Sequence, residues 1–234
     1  MVEQIIIGLI VAAILATLAI LRKKIAKYLS KATLKPFGSF LDWNAAEADV
    51  VKNMEKSCFL YILTGRGNFL LSGGNSDKNP YFKYFSDKNN EVIVLLPNIY
   101  DKDRDKKWIK QRVEEMKDVK NAMITEIDAF EAQVNAVIMG IEKAVLCVDK
   151  RLIALFDSFH IGKIILLDEV AYFQPYLSDI DGKDGRVYRY KKKSDMYKWL
   201  ERLVLKTKDF ATPISDYPRG KRNLHLGEKM MLNN

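Results

Sequence analysis

Gly65-Arg66-Gly67, directly after the compact apolar run Cys58–Thr64, is where this sequence best offers chemistry. Glycines on both sides of a cation can aim backbone N–H groups and a guanidinium at one anion. A tight strand-to-helix turn accounts for the same glycines equally well. The dinucleotide pattern Gly-x-Gly-x-x-Gly is not completed, because Leu70 stands where the third glycine belongs. Ser72-Gly73-Gly74-Asn75 lacks the Gly-Lys-Ser/Thr ending of a phosphate loop and reads as a plain loop.

Other reactive side chains form weaker sets. His160 follows Asp157 and Ser158, but triad members converge in space rather than in sequence, so a hydrogen-bonded histidine at a strand end is the simpler reading. Asp101, Asp103 and Asp105 alternate as in a cation loop, yet Lys102, Arg104, Lys106 and Lys107 interleave with them, as in solvated charge at a helix start. Tyr188–Lys193 (YRYKKK) offers a grip for nucleic acid or lipid headgroups; a charged edge strand explains it more simply. Cys58 and Cys147 are 89 positions apart, each in an apolar run, which suits buried reduced thiols better than a disulfide framework or zinc site. With only two histidines, no metal is expected, and no cofactor motif is complete.

The elements that must carry these residues begin with Ile5–Leu21, an uncharged run of 17 residues followed by Arg22, Lys23 and Lys24. At ~1.5 Å per residue, ~17–20 apolar residues just cover a ~30 Å hydrocarbon core. Only Glu3 precedes the run, whereas Lys27, Lys31 and Lys35 extend the basic flank and no acid appears until Asp42. Basic flanks stay on the cytoplasmic side, so a single-pass anchor with its N-terminus outside and the rest in the cytoplasm, at the inner membrane, is expected. A secretory signal wants its positive charge before the run, not after it. Gly8, Ala12 and Ala16 recur every four residues and give two such helices a close-packing face. Lys24, Lys27, Lys31 and Lys35 then form one stripe of a helix suited to an anionic lipid surface.

Charge distribution narrows the partners. Net charge is +8, but residues 1–40 hold six basic groups and one acid, and residues 216–234 hold four basic groups and two acids. The stretch 41–215 is left near neutrality at +1, which does not support nucleic acid as a partner. The expected organisation is an anchor at 1–21, a basic juxtamembrane segment at 22–40, a cytosolic α/β domain at 41–212 and a basic tail at 213–234.

Within the domain, Ala45–Lys56 has helical spacing, and Cys58–Thr64 and Glu91–Leu96 read as buried strands. Residues 102–130 carry one apolar face of one or two helices. Val134–Gly140, Ala144–Asp149 and Leu152–Ser158 are short apolar runs, and Lys150-Arg151 between the last two predicts a hairpin. Lys163–Leu167 is a further strand, and Ser194 caps a closing helix with Met196, Trp199, Leu200, Leu203 and Val204 as its stripe. The fold class is α/β, a mixed sheet flanked by helices and preceded by one transmembrane helix.

The order CFLYILTGRG, EVIVLLPN, the hairpin KAVLCVDKRLIALFDSF and the helix MYKWLERL resembles one half of a phospholipase D-superfamily fold over residues 45–210. In that family the hairpin carries His-x-Lys-x4-Asp, with the histidine as nucleophile and the lysine on the phosphate, and two halves meet in a pseudo-dimer. The resemblance puts Asp149 on the family aspartate and Ser158 on the distal hydroxyl position, but Glu142 and Ala144 on the nucleophile and phosphate positions. A carboxylate repels phosphate and alanine has no donor, so the resemblance implies a kept fold, a homodimer and lost chemistry.

Three functions remain open. One is a non-catalytic membrane-held module that recognises a phosphate-containing ligand, a lipid headgroup or a protein partner, a layout shared by sensors and effectors of microbial defence. Another is a phosphodiesterase or nuclease with rearranged catalytic residues, for which His160, Asp149 and Ser158 are the candidates. The third is a structural anchor subunit of a larger membrane complex.

Overall fold

The computed structural model describes residues 34–72, 78–100, 107–117, 119, 124–147, 151–158, 161–176 and 184–217. They build one sheet of eight strands: β1 (Gly38–Phe40), β2 (Phe59–Leu63), β3 (Glu91–Pro97), β4 (Arg151–Phe156), β5 (Gly162–Leu166), β6 (Val170–Pro175), β7 (Val187–Lys191) and β8 (Thr212–Pro213). The spatial order is β1-β7-β6-β5-β2-β3-β4-β8. β2, β3 and β4 are parallel neighbours, and every other pairing is antiparallel. The mixed α/β sheet expected from the sequence is therefore present.

Alternation along the strands divides the core between two faces. Leu60 and Ile62 of β2, Val92, Val94 and Leu96 of β3 and Ile165 of β5 face one way, under the helices α1 (Trp43–Met54), α2 (Pro80–Ser86), α3 (Lys107–Lys117) and α4 (Ile127–Val145). Ile93, Leu95, Ala154, Ile164 and Leu166 face the other way, where a single helix, α5 (Asp195–Phe210), sets down Tyr197, Leu200 and Val204.

Helix starts follow their caps. The Asp42 carboxylate accepts from the Ala45 N–H at 2.8 Å, and the Ser194 hydroxyl accepts from the Tyr197 N–H at 3.1 Å. Asn79 accepts from the Tyr81 N–H at 2.9 Å, with Pro80 in the first helical position, where its missing N–H costs nothing.

Several expectations are corrected. Val134–Gly140, and the start of the run at Ala144-Val145, are helix and not strand: α4 runs unbroken through Val145, and Val134, Val137, Ile138, Ile141 and Val145 are its buried stripe at helical spacing. β4, which starts at Arg151, is not the second arm of an antiparallel hairpin. β4 instead pairs in parallel with β3, and Glu142 and Ala144 of the phospholipase D-like alignment lie in the last turns of α4. Cys58 and Cys147 are exposed free thiols, because each falls beyond the buried part of its run, one before β2 and the other after α4. β7, which carries Tyr188–Lys191, is not the sheet edge, since β1 pairs outside it. The fold also continues past Thr212: β8 pairs with β4, and Ile214 is buried.

Among the described residues no helix is long and apolar enough to cross a membrane. The expected anchor and its basic flank, with Ile5, Gly8, Ala12, Ala16, Leu21, Arg22, Lys23, Lys24, Lys27 and Lys31, lie outside the described residues.

Candidate functional site

Where β2 ends, the sheet changes from parallel pairing with β3 to antiparallel pairing with β5. In open α/β sheets, ligands favour the crevice beyond the carboxyl ends of the strands. Here the crevice is a cavity of about 240 Å³ lined by Gly65, Arg66, Gly67 and Asn68 of the loop after β2, and by side chains arriving from elsewhere in the fold.

The loop is built for close approach. The Thr64 N–H continues the ladder to the Leu95 carbonyl at 3.2 Å, and the Gly65 N–H then donates to the Tyr176 hydroxyl at 2.9 Å. A Cβ on Gly65 would sit 3.0 Å from that hydroxyl oxygen and 3.1 Å from the Trp108 ring, so no larger residue fits without displacing a wall of the cavity. Gly67 has φ +75°, the left-handed region that glycine enters without steric cost, and from there the chain turns into a short 3-10 helix, Asn68–Leu71. Both glycines of the sequence motif are thus explained by local geometry, and Arg66 between them lines the cavity.

Two further cations line it. Lys163 is on β5 opposite the end of β2, because Leu63 pairs with Ile164. The residue is only 9% exposed, and its Nζ lies 3.6 Å from the Trp43 ring centroid and 4.7 Å from that of Phe69. Arg112 comes from α3; its guanidinium carbon is 5.1 Å from the Tyr176 ring centroid, and its Nη1 pairs with the Glu115 carboxylate at 3.2 Å. Aromatic faces attract cations through the ring quadrupole, most strongly where water is excluded. No acidic residue lines the cavity among the described residues. Nearby Glu47, on α1, has its carboxyl pushed above the usual range by burial, with the Lys163 charge pulling partly the other way.

Rings make up much of the wall. Trp43 and Phe69 pack at 4.8 Å on one side; Trp108 packs edge-on against Phe130 at 6.0 Å and tilted against Tyr176 at 6.4 Å. Val113, Met116 and Ile124 complete the apolar part.

Of the residues singled out from sequence, Gly65, Arg66 and Gly67 meet in this cavity. Ser158 does not: it is exposed just past β4, beside a cavity of about 20 Å³ with Asn98, Trp108, Phe156 and Asp157. His160 and Asp149, like Asp101, Asp103 and Asp105, lie outside the described residues. Lys163 and Arg112 were not anticipated, although each carried a signal. Lys163 alternates onto the buried face with Ile165, and Arg112 interrupts the apolar stripe Trp108, Ile109, Val113 and Met116 of α3. A cation inside an apolar stripe marks a side chain that must be neutralised or used.

No family model matches the sequence, and none of the curated proteins matches it. Among solved structures, TrmBL2, an archaeal chromatin protein with a novel mode of DNA binding, is similar over 85% of this chain, with 10% identity and a TM-score of 0.43. The chain spans 64% of that protein's length, and similarity of this degree carries no argument about fold or DNA binding here.

Proposed function

We propose that this chain is a membrane-anchored recognition module that binds a small phosphate-containing ligand in the cavity beyond β2. The observation that carries the reading is the convergence of Arg66, Arg112 and Lys163 on a cavity with no acidic lining residue among the described residues, next to the backbone of a glycine turn. Guanidinium groups suit phosphate because their paired N–H donors match two oxygens, and a lysine adds a point charge. Low local dielectric strengthens such contacts once the ligand displaces water. The activity is binding, with no group on the ligand transformed.

Membrane placement rests on the sequence, namely Ile5–Leu21 and its one-sided basic flank. At the point where the chain leaves that flank, Leu34, Phe37 and Leu41 are exposed, and Lys191 holds its Nζ 3.7 Å from the Phe37 ring centroid. An edge that mixes apolar and basic groups suits an anionic lipid surface. Pairing of two copies through Gly8, Ala12 and Ala16 belongs to the same reading.

The test is calorimetric titration of the full chain in detergent with ribose 5-phosphate and inorganic phosphate. Saturable binding that weakens with salt and is lost in Arg66→Gln supports the proposal. No binding of either at millimolar concentration sinks it. Carbonate extraction of membranes, with protease added from each side, tests the topology separately.

A further inference from the structure

We infer that the ligand carries a planar aromatic ring beside its phosphate, and that the cavity takes a nucleoside monophosphate. The inference rests on the phosphate reading above and adds what the rest of the lining requires. A bare oxyanion needs donors, and Arg66, Arg112 and Lys163 with the turn backbone supply them. It makes no use of the apolar remainder of the wall, formed by Trp108, Phe130 and Tyr176 with Val113, Met116 and Ile124. A surface of that composition gains from covering an apolar face, and contiguous rings are how proteins hold bases, through stacking that any base can satisfy.

Three further observations agree. First, the rings are grouped. Trp43 and Phe69 lie on one side beneath Lys163, whereas Trp108 and Tyr176 lie on the other with Arg112 over the tyrosine. Each ring pair therefore has a cation beside it, so a stacked ring and an anionic group would each find a partner in the same cavity. Second, about 240 Å³ lies just below the ~300–1,000 Å³ usual for ligand pockets, too small to enclose a dinucleotide. Third, the indole N–H of Trp43 is buried and has no hydrogen-bond acceptor among the described residues, which leaves a donor unused at the wall.

The chain has its own optical reporters. Of its three tryptophans, Trp43 and Trp108 line the cavity, whereas Trp199 is on α5, across the sheet. The full chain in detergent is titrated with AMP, GMP, CMP and UMP, and in parallel with ribose 5-phosphate and inorganic phosphate. At least one nucleotide is expected to bind about fivefold to a hundredfold tighter than ribose 5-phosphate, the range that one stacked base supplies. That binding quenches part of the tryptophan emission, and Trp199→Phe leaves the quench intact. Trp108→Leu keeps apolar bulk while removing the stacking face; it lowers nucleotide affinity by a larger factor than ribose 5-phosphate affinity, so the ratio between them closes. If ribose 5-phosphate binds as tightly as every nucleotide in the unmodified chain, the ring inference falls and the phosphate reading stands. If none of the six ligands binds, both fall.

Discussion

Of the three cations buried among the described residues, Arg112, Arg151 and Lys163, the last two are accommodated in opposite ways. Arg151, 6% exposed at the start of β4, spends its guanidinium on backbone carbonyls: Nε donates to Asn90 at 3.1 Å, Nη1 to Phe85 and to Ala144 at 3.2 Å, and Nη2 to Asp87. Those carbonyls belong to the end of α2, the loop after it and the last turn of α4, so one side chain ties three segments to the sheet. Lys163 sits against ring faces at the lip of a cavity. Burial of charge alone therefore says little about function. Directional backbone oxygens around a guanidinium mark a structural clamp, whereas an ammonium packed on aromatic faces stands beside open volume that an anion could enter.

The largest expected effect tests the clamp. Arg151→Leu leaves several buried carbonyls without donors, at about 3 kcal/mol or more, or a fall of roughly 6–12 °C in melting temperature. Ligand affinity of the folded protein should not change. A loss below about 1 kcal/mol would remove the distinction between the two cations.

Lys163→Met should behave in the reverse way. A charge-assisted contact to phosphate is lost, so affinity for ribose 5-phosphate falls about tenfold or more, while the melting temperature changes far less than in Arg151→Leu. Calorimetry and thermal melts on the same sample separate the two quantities.

Gly67→Ala probes the turn that positions Arg66. The left-handed backbone costs about 1–2 kcal/mol with a Cβ, and that atom would lie 3.1 Å from Val137, so thermal melts should fall by roughly 3–6 °C.

The smallest effect sharpens the electrostatics around Lys163. Because burial raises the Glu47 carboxyl above 4.5, the folded state holds that proton more tightly than the unfolded chain does. Its stabilising contribution is complete below the unfolded value and is lost as pH rises through the higher folded one. Glu47→Gln should therefore raise the melting temperature at neutral pH by about 1–2 °C, and the gain should close as pH falls toward 4.5. A variant less stable at pH 7 would mean that attraction to Lys163 outweighs burial.

Much of the frame was legible in the sequence, for local reasons. β2 and β3 are apolar runs closed by turn residues, α1 shows helical spacing, and α5 shows it after its cap Ser194. The second half of α4 was misread because its apolar residues cluster in short runs and Gly140 seems to end one of them. Gly140 is instead a close-contact point, where a Cβ would meet the Leu71 side chain at 2.7 Å. Half of the site was equally local: a cation between two glycines after a buried strand. The other half arrives through pairing between distant strands. Nothing near Lys163 announces that β5 will lie antiparallel to β2, and nothing near Arg112 announces which strand ends α3 will cover.

The rims of the sheet have a consequence for self-association. β1 offers three residues and β8 two, one of them a proline with no N–H, so a strand from another molecule finds almost no ladder to extend. Behind these stubs lie β7 and β4, five and six residues long and far better templates. Both stubs adjoin the flanking stretches of the chain, so trimming past Gly38 or stopping short of Thr212 would uncover a sticky edge. The few residues that look most expendable are the ones that keep neighbouring copies from stacking.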